Sequence, residues 1–348
     1  MRSTDVPQPM NADDPGRELT DMTANTAPTP TSNAPRRAVR FRSGEADCAA
    51  WHYPGRNGAC VVMAGGLAVT KEPATDQFAR RFHDAGFSVL AFDYRRLGES
   101  GGVPRLVLPI KDQVADWAAA LAYAATLPDV NPTKLAAWGF SASGGFVLDV
   151  AARTQHLGAA IAQTPHADGP AGLRNAAQFQ RPATMLRFTG RGLLDAVGGL
   201  LRRAPLLVPL VGPTGTVAML STPDAVEDGV RALSPGNRYP DWQQQVAARS
   251  ALRLGFYSPR RRAARITCPV LVLVCDDDQT APPGPAADAA RRAPRGELVR
   301  MPGRHYEPFL GGHENAVDTE LAFLRRHLLD RDRPGLQAVE AVSRDAAG

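Results

Sequence analysis

The sequence is poor in cysteine. Its 348 residues include four, Cys48, Cys60, Cys268 and Cys275, and no two of them have the CxxC spacing of a metal or redox site. All but Cys48 lie in or beside apolar, strand-like runs. We therefore expect buried thiols in a reducing cytoplasm, with neither a disulfide framework nor a metal site.

Long hydrophobic runs are also absent. A membrane-spanning helix needs about 20 consecutive apolar residues, whereas the best candidate, residues 205–211, is short and interrupted by proline. The amino end lacks the charged start and apolar core of a secretory signal. The sequence thus predicts a soluble, cytoplasmic protein that does not use a membrane as a partner.

The chain has no strong excess of one charge. It contains 40 Lys and Arg against 35 Asp and Glu, a net charge of +5, and its basic residues are mostly Arg spread along the chain. The densest cluster is Arg260–Arg262, with Arg265 close behind, which we interpret as a solvated loop. This distribution does not indicate a nucleic-acid partner.

The two ends of the chain have few large apolar residues. Residues 1–38 are rich in Pro, Thr, Asn and Asp, and such a composition does not bury enough apolar surface to fold. We predict a disordered leader over 1–38 and a flexible tail over 331–348.

Between these ends, short apolar runs alternate with segments of helical periodicity. The predicted strands lie within 41–53, 59–64, 88–92, 135–140, 159–163, 269–275 and 297–301, and predicted helices include 74–85, 110–126 and 146–154. Strands that alternate with helices indicate an α/β fold with a doubly wound, mainly parallel sheet. Ligands of such sheets bind beyond the carboxyl ends of the strands.

The alternation stops over residues 169–262. This region carries amphipathic pieces such as 185–203, with Pro-rich and Gly-rich joints. It separates a first core segment, 39–168, from a second, 263–330. An insertion at this point would lie over the strand ends as a helical cap whose apolar residues line the pocket. For any single apolar residue of the insertion, packing on the core without a role in the pocket is an equal alternative.

The run Leu135–Gly145 joins an apolar strand to a Gly-x-Ser turn and a helix-like continuation. A sharp strand-to-helix turn made of small residues holds a Ser hydroxyl out of the backbone, as in a nucleophile elbow. Gly139 precedes Ser141 by two residues, which makes Ser141 the candidate nucleophile. Ser143 is a competitor, because residues 141–145 also fit a small-x-Ser-x-Gly pattern.

Two further candidates follow strands in chain order. The strand at 269–275 ends in Asp276, Asp277 and Asp278, and the strand at 297–301 leads to His305. A carboxylate can orient a histidine, and a histidine beside a Ser hydroxyl can accept its proton. The order Ser, Asp, His is that of the α/β-hydrolases and differs from the orders of chymotrypsin and subtilisin.

These features resemble the α/β-hydrolase superfamily over about residues 41–329. Residues 92–102 (FDYRRLGESGG) are similar to its strand-end segment, and Val61–Leu67 occupies the place of its oxyanion-hole turn. The elbow GFSASGG, Thr164–Gly169 and Asn237–Trp242 more narrowly resemble a bacterial branch near the dienelactone hydrolases and X-Pro dipeptidyl peptidases. Fungal polyketide-associated acyl transferases are similar to that branch.

The resemblance implies roles for individual residues. Family members commonly carry Asp-x-x-x-Pro at the acid, which aligns Asp278 with Pro282, and elbows of the Gly-x-Ser-x-Ser-Gly-Gly type favour Ser141 as nucleophile. The backbone N–H groups of Leu67 and Ala142 would form the oxyanion hole.

Three further residues are compatible with a role at the site. Asp168 follows an earlier strand, at a position from which some lipases supply the acid. His313 is the next histidine after His305, although its surroundings look more like the start of the last helix. His166 would lie near the cleft mouth, either in contact with substrate or simply packed.

The sequence therefore predicts a serine hydrolase that cleaves a carboxylic ester, thioester or amide of a small acyl substrate. An acyl-enzyme would form on Ser141, with His305 as the base and Asp278 as its partner. No cofactor or metal is required. An acyl transferase or thioesterase of secondary metabolism would use the same residues, and a non-catalytic ligand-binding protein on this fold is a third interpretation. A homodimer is compatible with the sequence.

Overall fold

The strands of the molecule follow the apolar runs of the sequence. The computed structural model describes residues 35–330, so the predicted tail, and the predicted leader apart from 35–38, lie outside the described residues. In chain order the strands are β1 (Arg37–Ser43), β2 (Ala46–Tyr53), β3 (Cys60–Ala64), β4 (Ser88–Phe92), β5 (Leu135–Phe140), β6 (Ala159–Gln163), β7 (Leu207–Pro209), β8 (Gln245–Ala247), β9 (Val270–Cys275) and β10 (Gly296–Met301).

The α-helices connect these strands, and four of them lie in the long connection between β6 and β9. They are α1 (Asp76–Asp84), α2 (Ile110–Ala124), α3 (Ala142–Ala151), α4 (Gly169–Ala176), α5 (Pro182–Leu200), α6 (Pro223–Leu233), α7 (Arg249–Leu254), α8 (Pro283–Arg292) and α9 (His313–Leu324). No helix within residues 35–330 is long and apolar enough to cross a membrane.

Eight strands form one sheet in the order β1-β2-β4-β3-β5-β6-β9-β10. The pairs from β4 to β10 are parallel, and only the leading strands β1 and β2 pair antiparallel. Strands β3, β4, β5, β6 and β9 are buried at every residue, as continuous apolar runs require when helices cover both faces of a sheet. The predicted α/β fold with a mainly parallel sheet is confirmed.

Element boundaries differ from the predictions in two informative places. Strand β1 begins at Arg37, two residues before the predicted start of the folded core at residue 39. Helix α3 begins at Ala142, four residues before the predicted start at Phe146, and takes in Gly144 and Gly145. Glycine is a weak helix former, so propensity alone misplaces this helix start.

Close backbone packing explains the glycines around this turn. A side-chain carbon on Gly139 would lie 2.4 Å from the carbonyl oxygen of Ser143, and one on Gly145 would lie 2.4 Å from the carbonyl oxygen of His166. One on Gly144 would meet Pro165 at 3.0 Å. Helix α3 therefore lies directly against the segment that follows β6, and only glycine fits at these contacts.

The connection between β6 and β9 contains α4, α5, α6, α7 and the small β7–β8 ribbon. Asp195, buried on α5, holds its parts together: its carboxylate accepts hydrogen bonds from the N–H groups of Leu206 and Arg249, both at 2.8 Å. We refer to residues 169–256 of this connection as the cap. The predicted cap limits, 169–262, stay a prediction.

Two glycines within helices give a matched test of this packing. Gly145→Ala is expected to lower the free energy of unfolding by about 1–3 kcal/mol, because the added methyl group meets a backbone carbonyl that cannot move freely. Gly190→Ala on α5 has no atom within 4 Å of the added carbon and is expected to raise it by up to about 1 kcal/mol. Urea unfolding followed by circular dichroism measures both, and equal shifts in the two variants would contradict the packing argument.

Candidate active site

Ser141 lies in the turn between β5 and α3, with a backbone conformation that is rare for a residue other than glycine (φ 56°, ψ −116°). The last residue of β6 and the segment that follows it hold this turn. The Ser141 N–H donates to the carbonyl of Gln163 at 3.0 Å, and the N–H of His166 donates to the carbonyl of Ser141 at 2.9 Å. Such strain persists only where neighbouring structure fixes it.

His305 lies between Ser141 and Asp278. Its Nε2 is 3.0 Å from Ser141 Oγ, and its Nδ1 is 2.7 Å from Asp278 Oδ2. The rings of Phe140 and Tyr306 pack against the imidazole at centroid distances of 5.1 and 4.9 Å. The three residues predicted from the sequence are thus brought together at the carboxyl ends of their strands, in hydrogen-bonding order.

Of the three adjacent aspartates, only Asp278 points inward. Its second oxygen, Oδ1, accepts a hydrogen bond from the Ala281 N–H at 2.6 Å, which fixes the carboxylate in a tight turn. Asp276 and Asp277 are exposed, and Asp276 pairs with Arg300 at 2.5 Å. They are turn residues of the loop after β9.

Ser143, Asp168 and His313 have structural roles. The Ser143 hydroxyl is buried, where it bonds to the Tyr94 hydroxyl at 2.5 Å and donates to the carbonyl of Gly65. Asp168 caps α4 and pairs with Arg260 at 2.6 Å. His313 begins α9, and its Nδ1 lies 3.0 Å from the carbonyl oxygen of Pro308.

Burial and charge shift the protonation of His305 and Asp278. Burial raises the pKa of Asp278 above its usual value, and the facing histidine only partly offsets this. Burial by itself would lower the pKa of His305, but the carboxylates of Asp278 and Asp224 together hold it above its usual value. The site therefore stabilises the imidazolium form, as a group that takes up a proton requires.

Asp224, at the start of α6 in the cap, is a second buried carboxylate that the sequence did not point to. Its Oδ2 accepts hydrogen bonds from the N–H groups of Gln279 and Thr280 at 2.9 and 3.0 Å, and its Oδ1 accepts one from the Thr280 hydroxyl at 2.8 Å. Asp224 thereby anchors the loop that carries Asp278. A lone aspartate after Thr-Pro in the sequence reads as an ordinary first-turn residue, so no local signal distinguishes it.

Leu67 and Ala142 flank Ser141 along the wall of a cavity. Among the described residues, no backbone hydrogen bond outside the helices and strands has the N–H of either residue as its donor, and their predicted role as oxyanion donors stays a prediction. The loop that carries Leu67 is held by Lys71: its N–H donates to Asp93 Oδ1 at 2.7 Å, and its buried ammonium group lies 3.2 Å from Asp93 Oδ2. Sequence reasoning missed this lysine.

The cavity at Ser141 has a volume of ≈ 140 Å³ and is lined mainly by apolar residues of the sheet edge and the cap. His166 belongs to its wall. Burial lowers the pKa of His166 to about 4, so this second imidazole is neutral near pH 7. Within residues 35–330, no group of three or more His, Cys, Asp or Glu side chains is placed to hold a metal ion.

Comparison with known proteins agrees with this architecture. A sequence model described as the alpha/beta hydrolase family matches residues 61–318. Because this match spans well over half of the chain, the protein belongs to the alpha/beta hydrolase family.

Several relatives carry functional names. The quorum-quenching protein AidA of Acinetobacter baumannii (strain MDR-ZJ06) is 37% identical over 292 residues, which is 83% of this chain and 94% of that protein. A polyketide transferase of Aspergillus fumigatus is 27% identical over 80% of this chain and 93% of its own. A thiohydrolase of Eupenicillium brefeldianum is 32% identical over 43% of this chain and 45% of its own.

Solved structures show the same fold at lower identity. A hypothetical protein of Pseudomonas aeruginosa superposes with a TM-score of 0.72 at 21% identity, over 86% of this chain and 96% of that one. The alpha/beta hydrolase GrgF of Penicillium sp. sh18 gives a TM-score of 0.70 at 21% identity, over 84% and 99%.

The effect of Asp224 on His305 can be measured directly. Asp224→Asn removes a negative charge that stabilises the imidazolium while leaving an oxygen to accept the loop N–H groups, so the pKa of His305 is expected to fall and its titration to move to lower pH. NMR titration of the histidine ring signals measures the shift. Glu227→Gln, on the same helix but with a side chain 59% exposed, is the control and should leave the midpoint unchanged, and an unchanged midpoint in both variants would refute the coupling.

Proposed function

We propose that this protein is a serine hydrolase that cleaves a carboxylic ester, or the corresponding thioester, of a small molecule through an acyl-enzyme on Ser141. The observation that carries the proposal is the placement of His305, whose two ring nitrogens lie 3.0 Å from Ser141 Oγ and 2.7 Å from Asp278 Oδ2. Nucleophile, base and orienting acid in hydrogen-bonding order are what this chemistry requires.

In the first step, Ser141 Oγ attacks the substrate carbonyl carbon while His305 Nε2 accepts the hydroxyl proton. The Asp278 carboxylate accepts the hydrogen bond from Nδ1–H, which fixes the ring and stabilises its positive charge. The carbonyl oxygen becomes an oxyanion, for which the N–H groups of Leu67 and Ala142 are the proposed donors. Collapse of this intermediate expels the alcohol or thiol, which takes the proton from Nε2.

In the second step, a water molecule replaces the leaving group next to His305. Nε2 accepts a proton from this water as it attacks the acyl carbon, and the oxyanion forms at the same two N–H groups. Collapse then releases the carboxylic acid and returns the proton to Ser141 Oγ. The chain supplies every group that moves a proton in this cycle.

The names of the relatives support acyl chemistry without choosing one substrate. One relative is named a thiohydrolase and another a polyketide transferase, names that fit hydrolysis and group transfer on one catalytic site, and AidA is described as quorum-quenching. We place the protein in the cytoplasm, in keeping with the burial of all four cysteines.

The two serines of the elbow give opposite expectations. Ser141→Ala is expected to abolish labelling by a fluorophosphonate and to lower kcat on p-nitrophenyl butyrate by about 10³-fold or more. Ser143→Ala should keep the label but lower the free energy of unfolding by about 1–3 kcal/mol, because buried partners of its hydroxyl lose a hydrogen bond. Peptide mass mapping and urea unfolding measure the two effects.

Two outcomes would change the proposal. A label that disappears only in Ser143→Ala would move the nucleophile by two residues. A folded wild-type protein that neither reacts with the fluorophosphonate nor turns over any ester would favour a non-catalytic ligand-binding protein.

Acyl transfer is the second candidate function, because a relative that spans most of this chain is named a polyketide transferase. The chemistry differs only in the acceptor, since an alcohol, thiol or amine bound next to His305 would replace water in the second step. The ratio of transferred to hydrolysed acyl group, measured with increasing concentrations of an added alcohol, distinguishes the two. A ratio that follows the simple molar ratio of alcohol to water indicates a hydrolase, and one far above it indicates a transferase with an acceptor site.

A further inference from the structure

A second chamber lies behind the cavity at Ser141. The first chamber, ≈ 140 Å³, touches Ser141, and the second is larger, ≈ 240 Å³, and is lined by residues of the cap. Its wall includes Thr184, Met185 and Thr189 on α5 and Leu252 on α7, none of which lines the first chamber.

The two chambers are neighbours that share a wall. Leu173, Phe188 and Met219 line both, together with small residues such as Ala251 and Gly255. Gly255 leaves room for one of the larger side chains, since a carbon added there would lie 2.7 Å from Leu173 Cδ1. The partition between the two chambers therefore consists of apolar side chains and small residues, with no charged group or backbone strand among the residues that line both.

Both chambers suit an uncharged, apolar ligand. None of the residues that line them is Asp, Glu, Lys or Arg. The largest polar side chain of the second chamber bonds to the protein: Gln180 Nε2 donates to the Thr216 carbonyl at 3.1 Å and to Ser221 Oγ at 2.9 Å, and its Oε1 accepts from the Gly215 N–H at 3.0 Å. The second chamber thus offers mainly hydrophobic contact.

The position of His305 indicates which part of the substrate faces the chambers. A leaving group must lie beside His305 Nε2 to receive its proton. The first chamber reaches Ser141, Leu67 and Ala142, and the second is lined only by residues of the cap, none of which belongs to the loops that carry Asp278 and His305. The side of the carbonyl that turns away from His305 is the acyl side.

We propose that the second chamber holds the distal part of a long, unbranched acyl chain whose carbonyl is bound at Ser141, so that the substrate is a medium- to long-chain fatty acyl ester or thioester. This rests on the proposed function for the carbonyl and adds the class of acyl group. Each buried methylene is worth about fourfold in binding, so a chain that reaches the second chamber gains strongly over one that ends in the first.

The test narrows the second chamber without touching the first. Met185→Trp adds bulk to a residue that lines only the second chamber, and Leu186→Trp makes the same change at the next residue of α5, whose side chain points to solvent with 75% exposure. We expect wild-type kcat/KM to rise along p-nitrophenyl esters from C4 to C12. Met185→Trp should lower the ratio of kcat/KM for the C12 ester to kcat/KM for the C4 ester at least tenfold, while kcat/KM for the C4 ester stays within twofold of wild type. Leu186→Trp should leave this ratio unchanged.

A second variant and a second series of substrates serve as controls for this test. Met185→Ala enlarges the chamber and should move the preferred chain to longer esters, so the proposal remains testable if Met185→Trp does not fold. Acetate esters of alcohols from C4 to C12 vary the leaving group instead. A length dependence in that series, or an unchanged acyl profile in folded Met185→Trp, would overturn the assignment.

A binding measurement separates this proposal from the proposed function. Calorimetric titration of Ser141→Ala protein with 1-decanol should show binding that Met185→Trp in the same background weakens at least tenfold and Leu186→Trp does not. If no ester is hydrolysed but decanol binding follows this pattern, the catalytic proposal fails and the chamber stands. Equal decanol binding in both tryptophan variants shows that the chamber holds no chain.

Discussion

The strained turn at Ser141 is the constraint on which the site depends. A non-glycine residue at φ 56° costs about 1–3 kcal/mol. The fold maintains it by two backbone hydrogen bonds, one to the last residue of β6 and one to the segment after it, and by the close approach of α3, which glycine at 139 and 145 permits. The same geometry points the hydroxyl at His305 and places Ala142 in the wall of the cavity. The strained backbone conformation of Ser141 is therefore also what positions its hydroxyl.

Electrostatics at His305 couple the sheet to the cap. The imidazole is buried between Ser141 and Asp278, where a charge without a partner would be expensive. Asp278 is supplied by the loop after β9, and Asp224 of the cap holds that loop through its backbone N–H groups. A cap that shifted at α6 would disturb both the loop geometry and the charge felt by the histidine.

Sequence patterns predicted the parts of the site that depend on local geometry. Ser141 follows a strand and sits among small residues, and Asp278 and His305 each follow an apolar strand, so period and turn chemistry locate the segments. The choice of Ser141 over Ser143, and of Asp278 over its two neighbours, came from the family resemblance. Asp224 and Lys71 escaped because their roles come from contacts between distant segments, such as the 55 residues that separate Asp224 from Gln279. The division of the pocket into two chambers depends on side-chain packing across cap helices, which no local pattern records.

Because the cap is inserted between β6 and β9, the residues around His305 and the residues that line the second chamber come from different parts of the chain. The groups proposed to make and break bonds come from the ends of strands, while the walls of the second chamber come largely from α4, α5 and α7. Substitutions on the facing sides of those helices can reshape the pocket with little effect on the distances around His305. Substitutions in the cap can therefore change which ligands fit without changing the proposed reaction. Helix α6 is the exception, because its Asp224 also affects the geometry and charge at His305.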